Sequence, residues 1–208
     1  RVPLNVTRWE VPGEPVSPEE AARQHYEPFG VGQPFGRPWG TTWFRLHGEV
    51  PEAWAGRAVT AVIDLGFTNS PGFQSEGLLW TEDDGTWRPV RGVNPLHREI
   101  PVADAVAGGE RLSYVLEAAS NPQIAADRPD PNSDLPTAGT SPIYALTRAE
   151  LAVVHPEVAA LREDIRTLNG LMKQLSWELP RRHEILRALE AMLDTLVLED
   201  VVGSAAAA

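Results

Sequence analysis

The fold is decided by one stretch of the sequence, Thr42-Trp43-Phe44-Arg45-Leu46-His47-Gly48-Glu49-Val50. The apolar residues Phe44, Leu46 and Val50 all stand at even-numbered positions, which places them on one face of an extended chain. Side chains of a β-strand point alternately to the two faces of its sheet, so this period of two predicts a strand with one buried face. The opposite face carries Trp43, Arg45, His47 and Glu49.

Further strands of the same kind are predicted along the chain. They cover residues 59–65, 78–80, 87–90, 112–118 and 143–147. Asp84-Gly85 is a typical two-residue hairpin turn. Short strands separated by turn residues are typical of antiparallel sandwiches. The sequence therefore predicts a mainly β protein with some α-helix, in which an antiparallel β-sandwich of jelly-roll or galactose-binding-like type comes first.

The C-terminal part of the chain changes to a helical period. Apolar residues recur at alternating steps of three and four, which predicts an amphipathic helix, and Pro180 separates it from a second one. An αα-hairpin is therefore predicted after the sandwich. The first seam consists of Val158, Leu161, Ile165, Leu168, Met172, Leu175 and Leu179, and the second of Ile185, Leu189, Met192 and Leu196. Leu171, Leu186 and Leu193 form a surplus apolar face, which self-association or docking on the sandwich is expected to cover.

These patterns divide the chain into three segments. Residues 1–148 are the sandwich with an irregular, proline- and glycine-rich N-terminal segment, residues 149–202 the hairpin, and residues 203–208 a linker or truncation tail. Ser17 and the residues after it predict a short capped helix near the N-terminus. A long connection over residues 119–142 is of a kind that is usually functional or held by a neighbouring domain.

The composition argues against several classes of function. The 208-residue chain has a formal charge of −11, whereas nucleic-acid binding needs clustered basic side chains. It contains no cysteine, which removes disulfides, thiol catalysis and cysteine-based zinc sites. No apolar run of about 18 residues occurs, so neither a membrane span nor a membrane partner is expected. These features fit a cytoplasmic protein.

The motifs predict no catalytic residue and no metal ligand. The five histidines are scattered without a metal-binding spacing, and no Gly-x-Ser-x-Gly element marks a serine nucleophile. Residues 130–134, Asp-Pro-Asn-Ser-Asp, bring oxygen-bearing side chains together but lack the glycine and glutamate that complete an EF-hand. A solvated polar loop is the favoured interpretation there, with a calcium site of another type as the alternative.

Tryptophan is the residue type that could bind a ligand. The chain has seven tryptophans but only five phenylalanines and three tyrosines, and an indole ring can stack on a sugar as well as pack in a core. The candidates for carbohydrate binding are Trp39, Trp43, Trp80 and Trp87. Structural packing is the favoured interpretation, because the first two stand at the start of a strand.

Several blocks of the sequence carry a family resemblance. They are Gly36-Arg-Pro-Trp-Gly-Thr-Thr-Trp-Phe-Arg-Leu46, Glu76-Gly-Leu-Leu-Trp80 and Tyr144-Ala-Leu-Thr-Arg-Ala-Glu-Leu-Ala-Val-Val-His155. In this order they resemble the N-terminal region of class II α-mannosidases, glycoside hydrolase family 38, in its cytosolic and vacuolar branch. The resemblance implies that a zinc-dependent catalytic domain follows, which hydrolyses terminal α-linked mannose in oligosaccharides. None of the family's metal ligands, nor its nucleophile, maps onto residues 1–208, so this segment is expected to be inactive alone.

Two hypotheses about function remain open. In the first, which is favoured, the segment is an accessory and assembly domain whose partners are its own catalytic domain and further copies in a homo-oligomer. In the second it is a carbohydrate-binding module that holds a mannose-containing glycan through exposed tryptophans. Burial of all four candidates favours the first hypothesis, and exposure of Trp80 and Trp87 beside a polar cleft favours the second.

Overall fold

A computed structural model describes residues 1–68, 74–122, 134 and 138–208. Antiparallel strands dominate it, and the predicted sandwich is confirmed. The strands, in chain order, are β1 Val2–Pro3, β2 Asn5–Glu10, β3 Glu27–Phe29, β4 Pro34–Phe35, β5 Thr41–Glu49, β6 Val59–Asp64, β7 Glu76–Asp83, β8 Thr86–Val93, β9 Glu99–Ala103, β10 Arg111–Ala119, β11 Tyr144–Ala145 and β12 Arg148–Val153. The helices are α1 Pro18–Ala21, α2 Pro156–Gln174, α3 Pro180–Thr195 and α4 Val201–Ser204.

Most strands belong to two sheets. The larger sheet has the order β3-β2-β5-β10-β7-β8, and the smaller one has the order β1-β12-β6-β9. All pairs are antiparallel, and β4 with β11 adds a short third pair. The predicted hairpin turn between β7 and β8 is present: both Asp84 (φ 48°) and Gly85 (φ 75°) adopt the left-handed backbone that such a turn requires. The chain thus crosses repeatedly from one sheet to the other, as in sandwich folds generally.

The inner faces of the two sheets share one apolar core. Phe44 and Leu46 of β5 are fully buried there, as the alternation of that strand predicts. Leu116 of β10 lies beside Phe44, and Ile63 and Leu151 enter from the smaller sheet. Burial of one such side chain contributes about 1.5–3 kcal/mol, so this core is the main source of stability of the sandwich.

The outer face of the six-stranded sheet carries a second, smaller cluster around Trp43. The segment with α1 covers part of this face, and Ser17 caps the helix as predicted. The guanidinium carbon of Arg45 lies 4.0 Å from the centroid of the Tyr26 ring, a cation–π contact. Burial raises the pKa of the Tyr26 hydroxyl, and the Arg45 charge opposes that rise. The N-terminal segment is therefore an integral layer of the sandwich.

The regular strands at the N-terminus contradict the expectation that the chain is irregular before residue 40. β2 pairs with β5 along its whole length, and β3 pairs with β2. Leu4 and Val6 point inward, as alternating apolar residues of a strand do. The prolines and glycines around these strands make this alternation hard to recognise in the sequence. β9 is missing from the prediction for a related reason: Pro101 interrupts its pattern, but β9 is an edge strand, where proline is tolerated.

The sandwich also ends later than predicted. Of the strand predicted at 143–147, only Tyr144–Ala145 (β11) is a strand. A separate strand, β12, begins at Arg148 and pairs with β6 as far as Val153. Two compact units result, Arg1–Val153 and Val154–Ala208, so the boundary expected at 148 moves to the end of β12. Side chains of β12 belong to the sandwich core, which is the physical reason for the difference.

The helical unit contains the predicted pair of helices, α2 and α3, which pack on each other. Its details differ from the prediction in two places. α2 ends at Gln174, because Leu175 has an extended ψ of 139°, and the seam expected to reach Leu179 is shorter. Residues 203–208, expected to be a linker or tail, include the end of α4 and a buried alanine, Ala205. Among the described residues, no helix is both long and apolar enough to cross a membrane.

Candidate functional sites

Trp43 is a core residue of the outer cluster. Its side chain is fully buried between Val11, Ala21 and Val115. Its indole Nε1 finds no hydrogen-bond acceptor among the described residues. With no exposed ring face, Trp43 is out of reach of a ligand and acts as packing, the favoured interpretation of the sequence.

Trp80 and Trp87 lie on the same outer face but are only half-buried. The indole Nε1 of Trp80 donates to the Oε2 atom of Glu117, 3.3 Å away on the neighbouring strand β10. Burial raises the pKa of the Glu117 carboxyl, and the hydrogen bond from Trp80 opposes the rise. The carboxylate thus fixes the orientation of one indole and keeps one oxygen for another donor.

Trp39 is presented differently, at the tip of a turn before β5. The backbone N–H of Gly40 donates to the carbonyl of Arg37 over 2.9 Å, and Pro38 occupies the second position of this turn. Trp39 itself has a φ of 62°, a left-handed backbone that is a genuine outlier for a bulky residue. Its side chain is 39% exposed, and its N–H donates to the carbonyl of Ser120 over 2.9 Å.

The four candidate tryptophans therefore do not form one site. Trp43, Trp80 and Trp87 share the outer face of the larger sheet, whereas Trp39 precedes it in a turn. The structure adds Trp9 of β2, which lies opposite Trp43 on the neighbouring strand. The alternation of apolar residues over positions 4–10 could have placed Trp9 on this face, but only if β2 had been recognised as a strand.

Two polar loops are only partly within the described residues. Residues 130–133 of the possible calcium loop lie outside them. At the start of the loop after β6, Asp64 accepts hydrogen bonds from the backbone of Gly66 and Phe67 at 2.9 Å and is paired with Arg98 at 2.6 Å. These contacts anchor the loop to the sandwich. In the part of the chain that is described, no group of three or more His, Cys, Asp or Glu residues could hold a metal ion.

The helical unit exposes a large apolar surface. Leu193 is 62% exposed and Leu186 is 37% exposed on α3, and Leu171 is 47% exposed on α2. These are the surplus positions of the sequence pattern, and their covering by self-association or docking stays a prediction. A groove of about 590 Å³ between α2, α3 and the C-terminal residues adds further apolar surface. Other exposed apolar side chains of this unit are Trp177, Leu179, Val197, Leu198 and Val202.

Comparison with known proteins agrees with the resemblance seen in the sequence. Residues 2–152 match the family model of the α-mannosidase jelly roll domain. The chain is 30% identical over 186 residues to α-mannosidase 2C1 of Homo sapiens, covering 85% of this chain and 16% of that protein. It is 28% identical over 198 residues to α-mannosidase 2C1 of Mus musculus, with the same coverage, and 22% identical over 180 residues to α-mannosidase G of Dictyostelium discoideum. The chain thus spans 15% to 16% of the length of these relatives.

Proposed function

Because the chain belongs to the jelly roll domain family of α-mannosidases, we propose that it is the N-terminal accessory and assembly domain of an exo-acting α-mannosidase. In this proposal the full-length enzyme removes terminal α-linked mannose from oligosaccharides in the cytoplasm. The three relatives named above, each of which is named as an α-mannosidase, support this assignment. The small share of each relative that the chain covers supports an accessory role.

The chemistry of the reaction belongs, in this proposal, to the catalytic domain with its zinc ion. Glycoside hydrolysis needs two positioned carboxyl groups or a metal-assisted nucleophile. On the outer face of the sheet, Glu117 is bonded to the Trp80 indole and serves to orient it. Asp64, the buried carboxylate of the smaller sheet, is held by Arg98 and by backbone N–H groups. Both carboxylates therefore have structural partners.

We expect the 208-residue chain alone to show no α-mannosidase activity, with or without added zinc or cobalt. The measurement is hydrolysis of a chromogenic α-mannoside by the purified chain, with a preparation from cells that carry an empty vector as the control. Hydrolysis above that control would contradict the assignment of this segment as non-catalytic.

The assembly role rests on one observation, the apolar row along α3. Leu186 and Leu193 are seven residues apart on α3, so they lie on nearly the same side of the helix, and Leu179 immediately precedes its first turn. They are 44%, 37% and 62% exposed. A row of this kind is typical of a helix face that packs on another protein surface. The proposed partner is the catalytic domain of the same polypeptide, and a second copy of the chain takes its place when that domain is absent.

Replacing Leu193 by aspartate tests the assembly surface. We expect the wild-type chain to self-associate at rising concentration and L193D to weaken the association by at least about tenfold, because a charged group replaces an apolar contact in each copy. Ala191→Asp is the matched control: it introduces the same charge at an exposed position of α3, away from the row. Sedimentation measures the association state, and thermal melts show that the variants are folded. A wild type that stays monomeric at all concentrations contradicts the proposal.

A further inference from the structure

The helical unit buries little of its own apolar surface. None of the 19 residues of α2, all of which are described, is buried, and on α3 only Ile185 and Met192 are. Packing of an apolar face supplies most of the stability of a helix in a protein. The contact between α2 and α3 leaves part of each seam uncovered, so a further element is needed to complete the packing.

The uncovered parts of the two seams meet in the groove of about 590 Å³. Its large apolar side chains are Leu161, Ile165 and Leu168 of α2 and Leu189 and Met192 of α3. Alanines of α2, α3 and the C-terminal residues supply most of the remaining lining, and they leave room for large side chains of a ligand. Binding cavities usually measure about 300–1,000 Å³, so the groove is large enough to hold one.

Two carboxylates stand among these apolar side chains. Glu157 and Asp164 are seven residues apart on α2, so they lie on nearly the same side of the helix, about 10 Å apart along its axis. Asp164 follows Leu161 by three residues and precedes Leu168 by four, which makes it a neighbour of both on the helix surface. Both acidic residues are exposed, and neither forms an ion pair with another described residue. No lysine, arginine or histidine belongs to the described lining, so the groove is apolar and acidic.

We propose that this groove binds a cationic amphipathic helix of a partner protein. The apolar stripe of such a helix covers the seams, and two lysine or arginine side chains seven residues apart on it reach the two carboxylates. Complementary charge of this kind selects the partner and orients it. The proposal goes beyond the assembly role, because Leu186 and Leu193 of the apolar row do not line the groove.

A second copy of the chain is a poor fit to this site. The chain has a formal charge of −11, so two copies repel each other. Its own apolar row is flanked by an acidic residue, since Glu190 lies three residues before Leu193 on the same side of α3. If the row of one copy entered the groove of another, it would bring Glu190 close to Glu157 or Asp164, and like charges oppose such a contact.

Two synthetic peptides of about 18 residues, long enough for five helical turns, provide the test. Each forms an amphipathic helix with leucines at steps of three and four and glutamines on the opposite face. One peptide carries two lysines seven residues apart beside the leucines, and its twin carries two glutamates at the same places. Isothermal titration calorimetry with the 208-residue chain measures the binding of both. We expect the lysine peptide to bind and the glutamate peptide to bind at least about tenfold more weakly.

Asp164→Lys separates binding in the groove from general attraction to an acidic protein. We expect it to weaken the binding of the lysine peptide by about tenfold and to strengthen that of the glutamate peptide. Glu163→Lys is the matched control, because it makes the same change of charge at the neighbouring exposed position of α2, outside the lining. The ion pair of Glu163 with Arg166, 3.9 Å long, is exposed and adds little to stability. The control should leave both affinities within about twofold of the wild type, and thermal melts show that both variants are folded.

Ala160→Gln is a second groove variant, which places a longer side chain in the lining at an exposed position of α2. It should weaken the binding of the lysine peptide by about tenfold. The proposal is overturned if the lysine peptide does not bind, if both peptides bind equally, or if Asp164→Lys and Glu163→Lys have the same effect. It is also overturned if neither peptide binds while Ala160→Gln abolishes self-association in sedimentation, since a second copy would then be the occupant.

L193D keeps this test apart from that of the assembly role. Leu193 does not line the groove, so L193D should bind the lysine peptide as tightly as the wild type does. Loss of binding in L193D would place the docked helix on the apolar row and overturn the proposal. The association state of L193D, measured without peptide, tests the assembly role by itself.

Discussion

Replacement of Trp43 by alanine is expected to lower the free energy of unfolding by about 3–5 kcal/mol. The indole is fully buried, and its removal leaves a cavity between Val11, Ala21 and Val115. Loss of the indole also removes the surface against which the N-terminal residues Val11 and Ala21 pack. For a domain of this size the melting temperature should fall by on the order of 10 °C, which calorimetry or circular dichroism would measure.

Two further variants, one at Trp43 and one at Trp39, serve as comparisons for Trp43→Ala. Trp43→Phe keeps most of the apolar volume and removes the indole N–H, which is buried without an acceptor among the described residues, so it should cost clearly less than the alanine variant. Trp39→Gly should stay within about 1 kcal/mol of the wild type, because glycine relieves the left-handed backbone at φ 62° while the exposed indole is lost. If Trp43→Ala melted like the wild type, the outer cluster would not be a structural layer.

The parts of the fold that could be predicted are those in which local pattern and burial agree. The apolar residues at the even-numbered positions of β5 and β10 recur with a period of two, and Phe44, Leu46, Leu116 and Ala118 among them do form the core. β2 is short and lies in a proline- and glycine-rich context, and β9 contains Pro101, so local pattern alone missed both strands. Tertiary pairing with β5 and with β6 determines their conformation.

The neighbourhood of Asn5, His47 and Ser113 on the outer face of the larger sheet was beyond prediction from the sequence for a different reason. The alternation of β5 places His47 on the outer face, but nothing in the sequence tells which strands lie beside it. Asn5 and Ser113 become its neighbours only through the order β2-β5-β10 and the register of both pairs. A polar row assembled from three distant strands carries no spacing signal along the chain. Of the residues on this face, the tryptophans Trp43, Trp80 and Trp87 could be named beforehand.

The second large effect is expected from Gly36→Ala, which should lower the free energy of unfolding by about 2–5 kcal/mol. Gly36 has a φ of 76°, and a Cβ atom at this position would lie 1.9 Å from the Oγ atom and 2.8 Å from the Cβ atom of Ser120. Ser120 is fully buried at the end of β10, where its backbone bonds to Trp39 and Gly40. The serine therefore has little room to move away.

Gly85→Ala is the matched control for the backbone part of this effect. Gly85 has a nearly identical φ of 75°, but no heavy atom lies within 4 Å of the position of an added Cβ. Its replacement should cost about 1–2 kcal/mol from the left-handed backbone alone. The difference between the two alanine variants then measures the clash with Ser120. Chemical denaturation of both variants provides the comparison.

A double-mutant cycle completes the argument about Gly36. Ser120→Gly removes both atoms with which the new Cβ would collide, so the double variant Gly36→Ala/Ser120→Gly should lose less stability than the sum of the single losses. For residues in direct contact, a coupling of about 0.5–3 kcal/mol is the usual range. Additive losses, or equal costs for Gly36→Ala and Gly85→Ala, would show that the close approach at Ser120 does not restrict residue 36. A coupling in the expected range would show that Ser120, whose backbone bonds to Trp39 and Gly40 of the turn, leaves room only for glycine at position 36.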